Sequence, residues 1–304
     1  MTAMTRSDGL KVVEGGRPTV ISAIPTAFTE NGSLDIPGTT KIMEHALRGG
    51  VDSLFLAGTT AEFPALSPSE VVEVFDAGLA VAGPERVVAH VGGASARQAQ
   101  ELAHLAVTHG VQSLAAITPY YLPAGPAAVF DYFSAVRDAA GSAKLYAYLF
   151  PDRTGVHLNT DETAELVEAL DLEGIKLSGL STDFVQQLVS KLSSQRLVYS
   201  GSDGLISSVF SAGGAGVVSG VSSAFPAIFR QMADAMESRD RAAEGRLQVQ
   251  LDDAVRLVGP SIWALKIALR CLGVIENASC RMAMDRITPT LESEIKSLVE
   301  SVSN

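Results

Sequence analysis

The sequence predicts an α/β fold: a closed (β/α)8, or TIM, barrel followed by a C-terminal helical appendage. Short apolar runs alternate with longer segments of helical period along most of the chain. Most runs are continuous in Val, Ile, Leu and Ala rather than alternating, as parallel strands buried on both faces require. No GxGxxG follows the first run, so an open dinucleotide-binding sheet lacks its main signature. A length of 304 residues suits one such barrel.

The apolar runs fall at 20–24, 53–56, 87–91, 113–117, 145–149, 174–177, 197–200 and 216–218. Amphipathic segments at 36–48, 68–82, 96–108, 127–139 and 160–169 lie between them. Ser67-Pro68 is a start signal for the second, and Asp161 and Glu162 occupy the first turn of the fifth. After Ser223 the pattern is wholly helical, over 224–238, 242–257, 261–272 and 288–302. The first of these can serve as the eighth barrel helix. The expected organisation is an N-terminal extension over 1–18, a barrel over 19–238 and a helical region over 239–304. That last region would pack on the barrel or on a neighbouring subunit.

Hydrophobic residues make up 47% and charged residues 19%, enough for a large core. A net charge of −11 argues against nucleic-acid binding, which needs clustered Lys and Arg. It leaves room for a small anionic substrate, because one local cation outweighs a distant negative surface. Cys271 and Cys280 form no CxxC pair and no HExxH occurs, so neither a metal nor a disulfide is expected. The histidines His45, His90, His104, His109 and His157 show no ligand spacing and read as structural or surface residues. With no apolar run long enough to span a bilayer and no signal-like N-terminus, the expected location is cytoplasmic.

In such barrels chemistry sits at the C-terminal ends of the strands. Lys41, Lys191, Lys266 and Lys296 fall on predicted helices, Lys11 in the tail, and Lys144 at a strand start. Lys176, in Glu173-Gly174-Ile175-Lys176-Leu177-Ser178-Gly179, is the lysine near the C-terminal end of a strand, with its amine aimed at the barrel mouth. Only a neutral amine attacks a carbonyl, and an ordinary lysine is less than ~0.1% neutral at pH 7. A drop of ~3 pKa units needs about 4 kcal/mol of cation destabilisation, within reach of a partly apolar barrel interior. By position alone, a lysine paired with a carboxylate is an equal reading.

Neighbouring strand ends favour the nucleophile. Gly58-Thr59-Thr60-Ala61-Glu62 can expose backbone N–H groups and two hydroxyls to a carboxylate, although an ordinary capped turn would look the same. Thr118-Pro119-Tyr120-Tyr121 and Tyr148-Leu149-Phe150-Pro151-Asp152-Arg153-Thr154-Gly155 supply phenols for proton relay and a guanidinium fork for a carboxylate.

These segments, with Ile24-Pro25-Thr26-Ala27-Phe28 and Asn31-Gly32-Ser33-Leu34-Asp35 before them, occur in an order that resembles the dihydrodipicolinate synthase / N-acetylneuraminate lyase family. Gly201-Ser202-Asp203 and Gly216-Val217-Val218-Ser219-Gly220 extend the likeness, which runs from about Thr19 to the C-terminus. The resemblance implies that Lys176 forms a Schiff base with pyruvate or a longer 2-oxo acid and that Tyr148 is the general acid/base. It further implies that Thr59 joins the proton relay and that Thr60 binds the 2-oxo-acid carboxylate. Tyr121 would cross a subunit interface to complete a neighbour's relay, making the protein a homo-oligomer, a dimer or a dimer of dimers. Val218 and Gly201 would line the substrate pocket, and Arg153 would bind a second substrate's carboxylate. No cofactor beyond the covalent Schiff base is implied.

Condensation, retro-aldol cleavage and dehydration all pass through one iminium and enamine, so the resemblance leaves the reaction open, with authentic 4-hydroxy-tetrahydrodipicolinate synthesis from pyruvate and aspartate semialdehyde as one alternative. Ala61 replaces a usual glycine, which would disfavour a positive φ there. Leu149 and Leu177 replace usual polar residues. Two other functions compete: a phosphate-handling barrel using Gly213-Gly214-Ala215-Gly216 and Gly201-Ser202-Asp203 as a cradle, and a non-catalytic 2-oxo-acid-binding barrel.

Overall fold

The computed structural model describes residues 16–259 and 261–303. Eight parallel strands close a barrel in sequence order: β1 (Thr19–Ala23), β2 (Ser53–Leu56), β3 (Val87–His90), β4 (Ser113–Ile117), β5 (Lys144–Leu149), β6 (Gly174–Leu177), β7 (Leu197–Ser200) and β8 (Gly216–Ser219). Closure is made by β1, which pairs with β2 on one side and β8 on the other. The expected barrel is the observed one. Of the 1–18 extension, residues 1–15 lie outside the described residues.

Helices α1 (Ile36–Arg48), α2 (Pro68–Ala82), α3 (Ala96–Thr108), α4 (Pro126–Ala140), α5 (Pro151–Thr154), α6 (Thr160–Ala169), α7 (Thr182–Lys191), α8 (Ile206–Ser211) and α9 (Pro226–Glu237) follow the strands. Their starts follow from local chemistry. Ser67 and Glu70 form a reciprocal capping box on α2, as Asn159 and Glu162 do on α6. Beyond the barrel lie α10 (Arg241–Val258), α11 (Ile262–Cys271) and α12 (Pro289–Ser303). None of the described helices is long and apolar enough to cross a membrane.

Strand alternation divides the core into two. One set of side chains packs outward against the helices, among them Leu54, Leu114, Ala147 and Ile175. The other fills the barrel interior: Ile21, Phe55, Val88, Ile117, Tyr146, Tyr148, Tyr199 and Val218 among them. The register sets Lys176 directly beside Tyr148 on β5 and Tyr199 on β7, so the lysine shares the interior face.

Gly213 to Gly216 precede and begin β8, at the N-terminal end of the barrel and opposite the strand ends that carry Lys176. That placement corrects the cradle reading. A phosphate held there would lie on the wrong face, whereas Gly201-Ser202-Asp203 follows β7 at the right one.

Candidate active site

Lys176 emerges near the end of β6 and is 7% exposed. Its Nζ stands 4.1 Å from the centroid of the Tyr148 ring and 4.7 Å from that of Phe55. Phe55 meets Tyr148 edge-on at 6.3 Å, and Phe150 stacks on that tyrosine at 6.1 Å. Two aromatic rings therefore border the amine, which lines the cavity at the strand ends. Tyr148 Oη and Thr59 Oγ1 lie 3.3 Å apart, within hydrogen-bond reach.

These groups border a cavity of about 340 Å³, lined by Thr59, Thr60, Tyr148, Arg153, Lys176, Gly201 and Val218. The structure thus brings together seven of the eight residues expected at the site. Tyr121 is the exception: it is 90% exposed and takes a left-handed φ of 81°, with its neighbour Leu122 also exposed. Such a conformation costs of order 1–3 kcal/mol outside glycine.

Glycine at position 201 accommodates a close approach of the Ser178 and Lys176 side chains. A Cβ there would sit 2.0 Å from Ser178 Oγ and 3.1 Å from Lys176 Cε. Arg153 lies over the Phe150 ring, 5.7 Å from its centroid, and has no carboxylate partner among the described residues. Arg153 also lines a larger adjoining cavity of about 680 Å³ that includes Thr59, Tyr120, Ser261, Met282 and Arg286.

The Thr59–Thr60 turn differs from expectation in one respect. Ala61 ends a short 3-10 turn and is not left-handed; the left-handed residues are Ala57 (φ 52°) and Glu62 (φ 59°). The methyl of Ala61 therefore meets no backbone penalty, and the strain sits at the two flanks. Each flank is held. Ala57 O accepts from His90 Nδ1 at 2.9 Å, and Glu62 carries a fully buried carboxylate bonded to Lys266.

Sequence reasoning missed several participants. Asp203 accepts from Ser219 Oγ and from Val221 N–H. Burial lifts its carboxyl above the ordinary range, against the opposing pull of these donors and of Lys176. Val258, Ser261, Ile262 and Leu265, from the C-terminal helical region, complete the cavity wall. His90, read as structural or surface, is buried beside Tyr148 with a ring separation of 6.2 Å. Lys266 was read only as helical. Its signal was a lone charge inside Trp263-Ala264-Leu265-Lys266-Ile267-Ala268-Leu269, where an apolar surround demands a buried partner.

The model of the dihydrodipicolinate synthetase family matches residues 17–302. The chain is 32% identical to the 4-hydroxy-tetrahydrodipicolinate synthase of Xanthomonas campestris pv. campestris over 77% of this chain and 78% of that one. Its identity to the enzyme of the same name from Parasynechococcus marenigrum is 30%, over 82% of each chain. Among solved structures, the 4-hydroxy-tetrahydrodipicolinate synthase of Methylacidiphilum fumariolicum SolV superposes with a TM-score of 0.87 at 27% identity, covering 94% of this chain and 96% of that one.

Proposed function

The chain belongs to the dihydrodipicolinate synthetase family of lyases, and from that premise we propose that it forms a Schiff base between Lys176 and pyruvate or a longer 2-oxo acid. The observation that carries the reading is the enclosure of the Lys176 amine by Phe55 and Tyr148, with the Tyr148 phenol in reach of Thr59. Neutral Lys176 adds to the ketone carbon, giving a carbinolamine. Tyr148 protonates the departing hydroxyl, water leaves, and an iminium remains. The iminium accepts the electron pair released when a neighbouring C–H or C–C bond breaks, and the resulting enamine adds to an aldehyde or is reprotonated. The electron sink is the iminium formed on the lysine, with no further cofactor called for.

In this scheme Thr60 holds the substrate carboxylate, Thr59 passes protons to and from Tyr148, and Val218 and Gly201 bound the pyruvyl group. Tyr121 completes the relay in a neighbouring subunit, which accounts for its exposed, strained state. A homo-oligomer, a dimer or dimer of dimers, follows from that role, and the cytoplasm is the compartment where the 2-oxo acid would be met. One observation favours condensation with aspartate semialdehyde as a second reading: the Arg153 guanidinium stands at the mouth without a carboxylate partner among the described residues. The two curated relatives above carry the name of that activity.

Incubation with pyruvate and borohydride, followed by peptide mass spectrometry, tests the central reading. A reduced pyruvyl group on Lys176 is expected. Folded protein with no adduct on any lysine would overturn it.

A further inference from the structure

Glu62 and Lys266 are both fully buried, 204 residues apart in sequence, and their charged groups meet at 2.6 Å. The remaining acceptor capacity of the carboxylate is used as well. Its other oxygen takes the backbone N–H of Arg281 at 2.8 Å and that of Met282 at 2.7 Å. Lys266 Nζ donates a second bond to Ser279 O at 2.8 Å. The Arg281 guanidinium closes the assembly: it binds both oxygens of Glu70, at 2.6 and 2.9 Å, the Ala65 carbonyl at 3.0 Å and the Gly32 carbonyl at 2.8 Å. Lys266 and Arg281 both lie against the ring of buried Phe28, each 4.4 Å from its centroid.

The location of this pair gives it a consequence beyond packing. Glu62 is left-handed and sits two residues after Thr60, directly at the end of the turn that lines the Lys176 cavity. A left-handed non-glycine residue persists only where its surroundings over-determine it. Here the surroundings come from α11 and from the 279–282 segment, both outside the barrel. Burying a charge pair is rarely the cheapest way to add stability, since a well-packed apolar pair does as well. An ion pair with three further hydrogen bonds does what an apolar pair cannot: it fixes direction.

We propose that Glu62, oriented by Lys266, is the positioning residue of the substrate-carboxylate turn, so that the C-terminal helical region sets the affinity for the 2-oxo acid. The proposal rests on the Schiff-base reading, which assigns the turn its ligand. Glu62 touches no substrate; it acts through Thr60, the residue assigned to the substrate carboxylate.

The test is concentration-dependent pyruvate trapping with borohydride in two variants. Glu62→Gln keeps shape and removes the charge. Glu62→Gly combined with Lys266→Met removes the buried charges together and places at 62 a residue that accepts a positive φ without strain. In both, half-saturating pyruvate is expected to rise about tenfold or more, the scale of loss that small displacements of binding groups produce, with the saturating rate within a few-fold of the original. A purely structural role would lower the yield of folded protein without this split. A cooperatively folded double variant with unchanged half-saturation would overturn the proposal.

Amide exchange in the unaltered protein gives a second reading that needs no variant. Pyruvate should slow exchange at 59–62 and at 281–282 together; slowing confined to 59–62 would count against the clamp. If the unaltered protein traps no pyruvate, the parent reading fails instead, so the two failures are separable.

Discussion

Lys176 and Tyr148 are direct cross-strand partners on β6 and β5, and the lysine amine stands 4.1 Å from the centre of the tyrosine ring. The same register that builds the barrel therefore sets the distance between the proposed nucleophile and its acid. Lys176→Ala is expected to abolish both the borohydride adduct and turnover, leaving the fold intact because the lost side chain borders a cavity that already exists. Residual adduct on another lysine, with turnover retained, would refute the assignment.

Tyr148→Phe should separate packing from chemistry. The ring contacts with Phe55, Phe150 and His90 persist, and only the hydroxyl facing Thr59 is lost. General acid–base groups contribute typically about 10²–10⁴-fold, so iminium formation should slow by that order with little change in thermal stability. Stopped-flow or quench trapping of the adduct would measure it. A rate within twofold of the original would assign the proton transfers elsewhere.

The barrel was legible because most of its strands are largely apolar runs, and errors were confined to their ends. Thr19 and Ser219 join the ladder although they are polar, while apolar Ile24 and Val91 lie just past it. Lys176 was legible from its place on a strand and Tyr148 and Thr59 from neighbouring strand ends, since strand ends converge on one mouth. Glu62 was visible only as part of a turn, because its partners Lys266, Arg281 and Met282 come from a helical region whose docking no local pattern encodes. The inward aim of His90 was likewise hidden, as one histidine in a strand reads the same whether it faces solvent, helix or barrel interior.

Arg153 has its guanidinium over Phe150 and no carboxylate partner among the described residues. Arg153→Ala should leave pyruvate trapping on Lys176 unaltered. With a carboxylate-bearing aldehyde such as aspartate semialdehyde, KM should rise about 10- to 100-fold, matching the ~1.5–3 kcal/mol of a hydrogen bond to a charged group. An equal effect on trapping would place Arg153 in the first half-reaction instead.

Tyr121, exposed and left-handed in the single chain, is proposed to act across a subunit interface. Complementation distinguishes that from a role in its own barrel. Lys176→Ala and Tyr121→Phe variants should each be severely impaired, yet mixing them under conditions of subunit exchange should restore activity. A hybrid then contains one barrel with Lys176 intact, served by an intact Tyr121 from its partner. Failure to recover activity, with exchange verified by mass spectrometry of the hybrids, would eliminate the shared relay.

His90 makes stability depend on pH. Its Nδ1 donates to Ala57 O and its Nε2 accepts the Ile117 N–H, so the folded protein holds the neutral ring in one tautomer. Protonation would set a new N–H against the Ile117 donor. Burial, assisted by the charge of Lys176, pushes the imidazole pKa down to about 3. The unfolded chain protonates this ring near pH ~6.5, so between ~6.5 and ~3 the unfolded state binds the extra proton. Stability is therefore lost as pH falls through that window, by about 2 kcal/mol between pH 7 and pH 5 from this group. The hydrogen bonds from Arg281 hold the Glu70 carboxyl down to about 2, which adds a loss of the same sign at lower pH. Urea unfolding of the unaltered protein and of His90→Gln, from pH 7 to pH 5, isolates the imidazole, since Glu70 stays ionised in both over most of that range. The stability difference between the two proteins should shrink as the pH is lowered. A difference independent of pH would mean that His90 is not held neutral in the fold, and the pinning of Ala57 by an uncharged ring would fail with it.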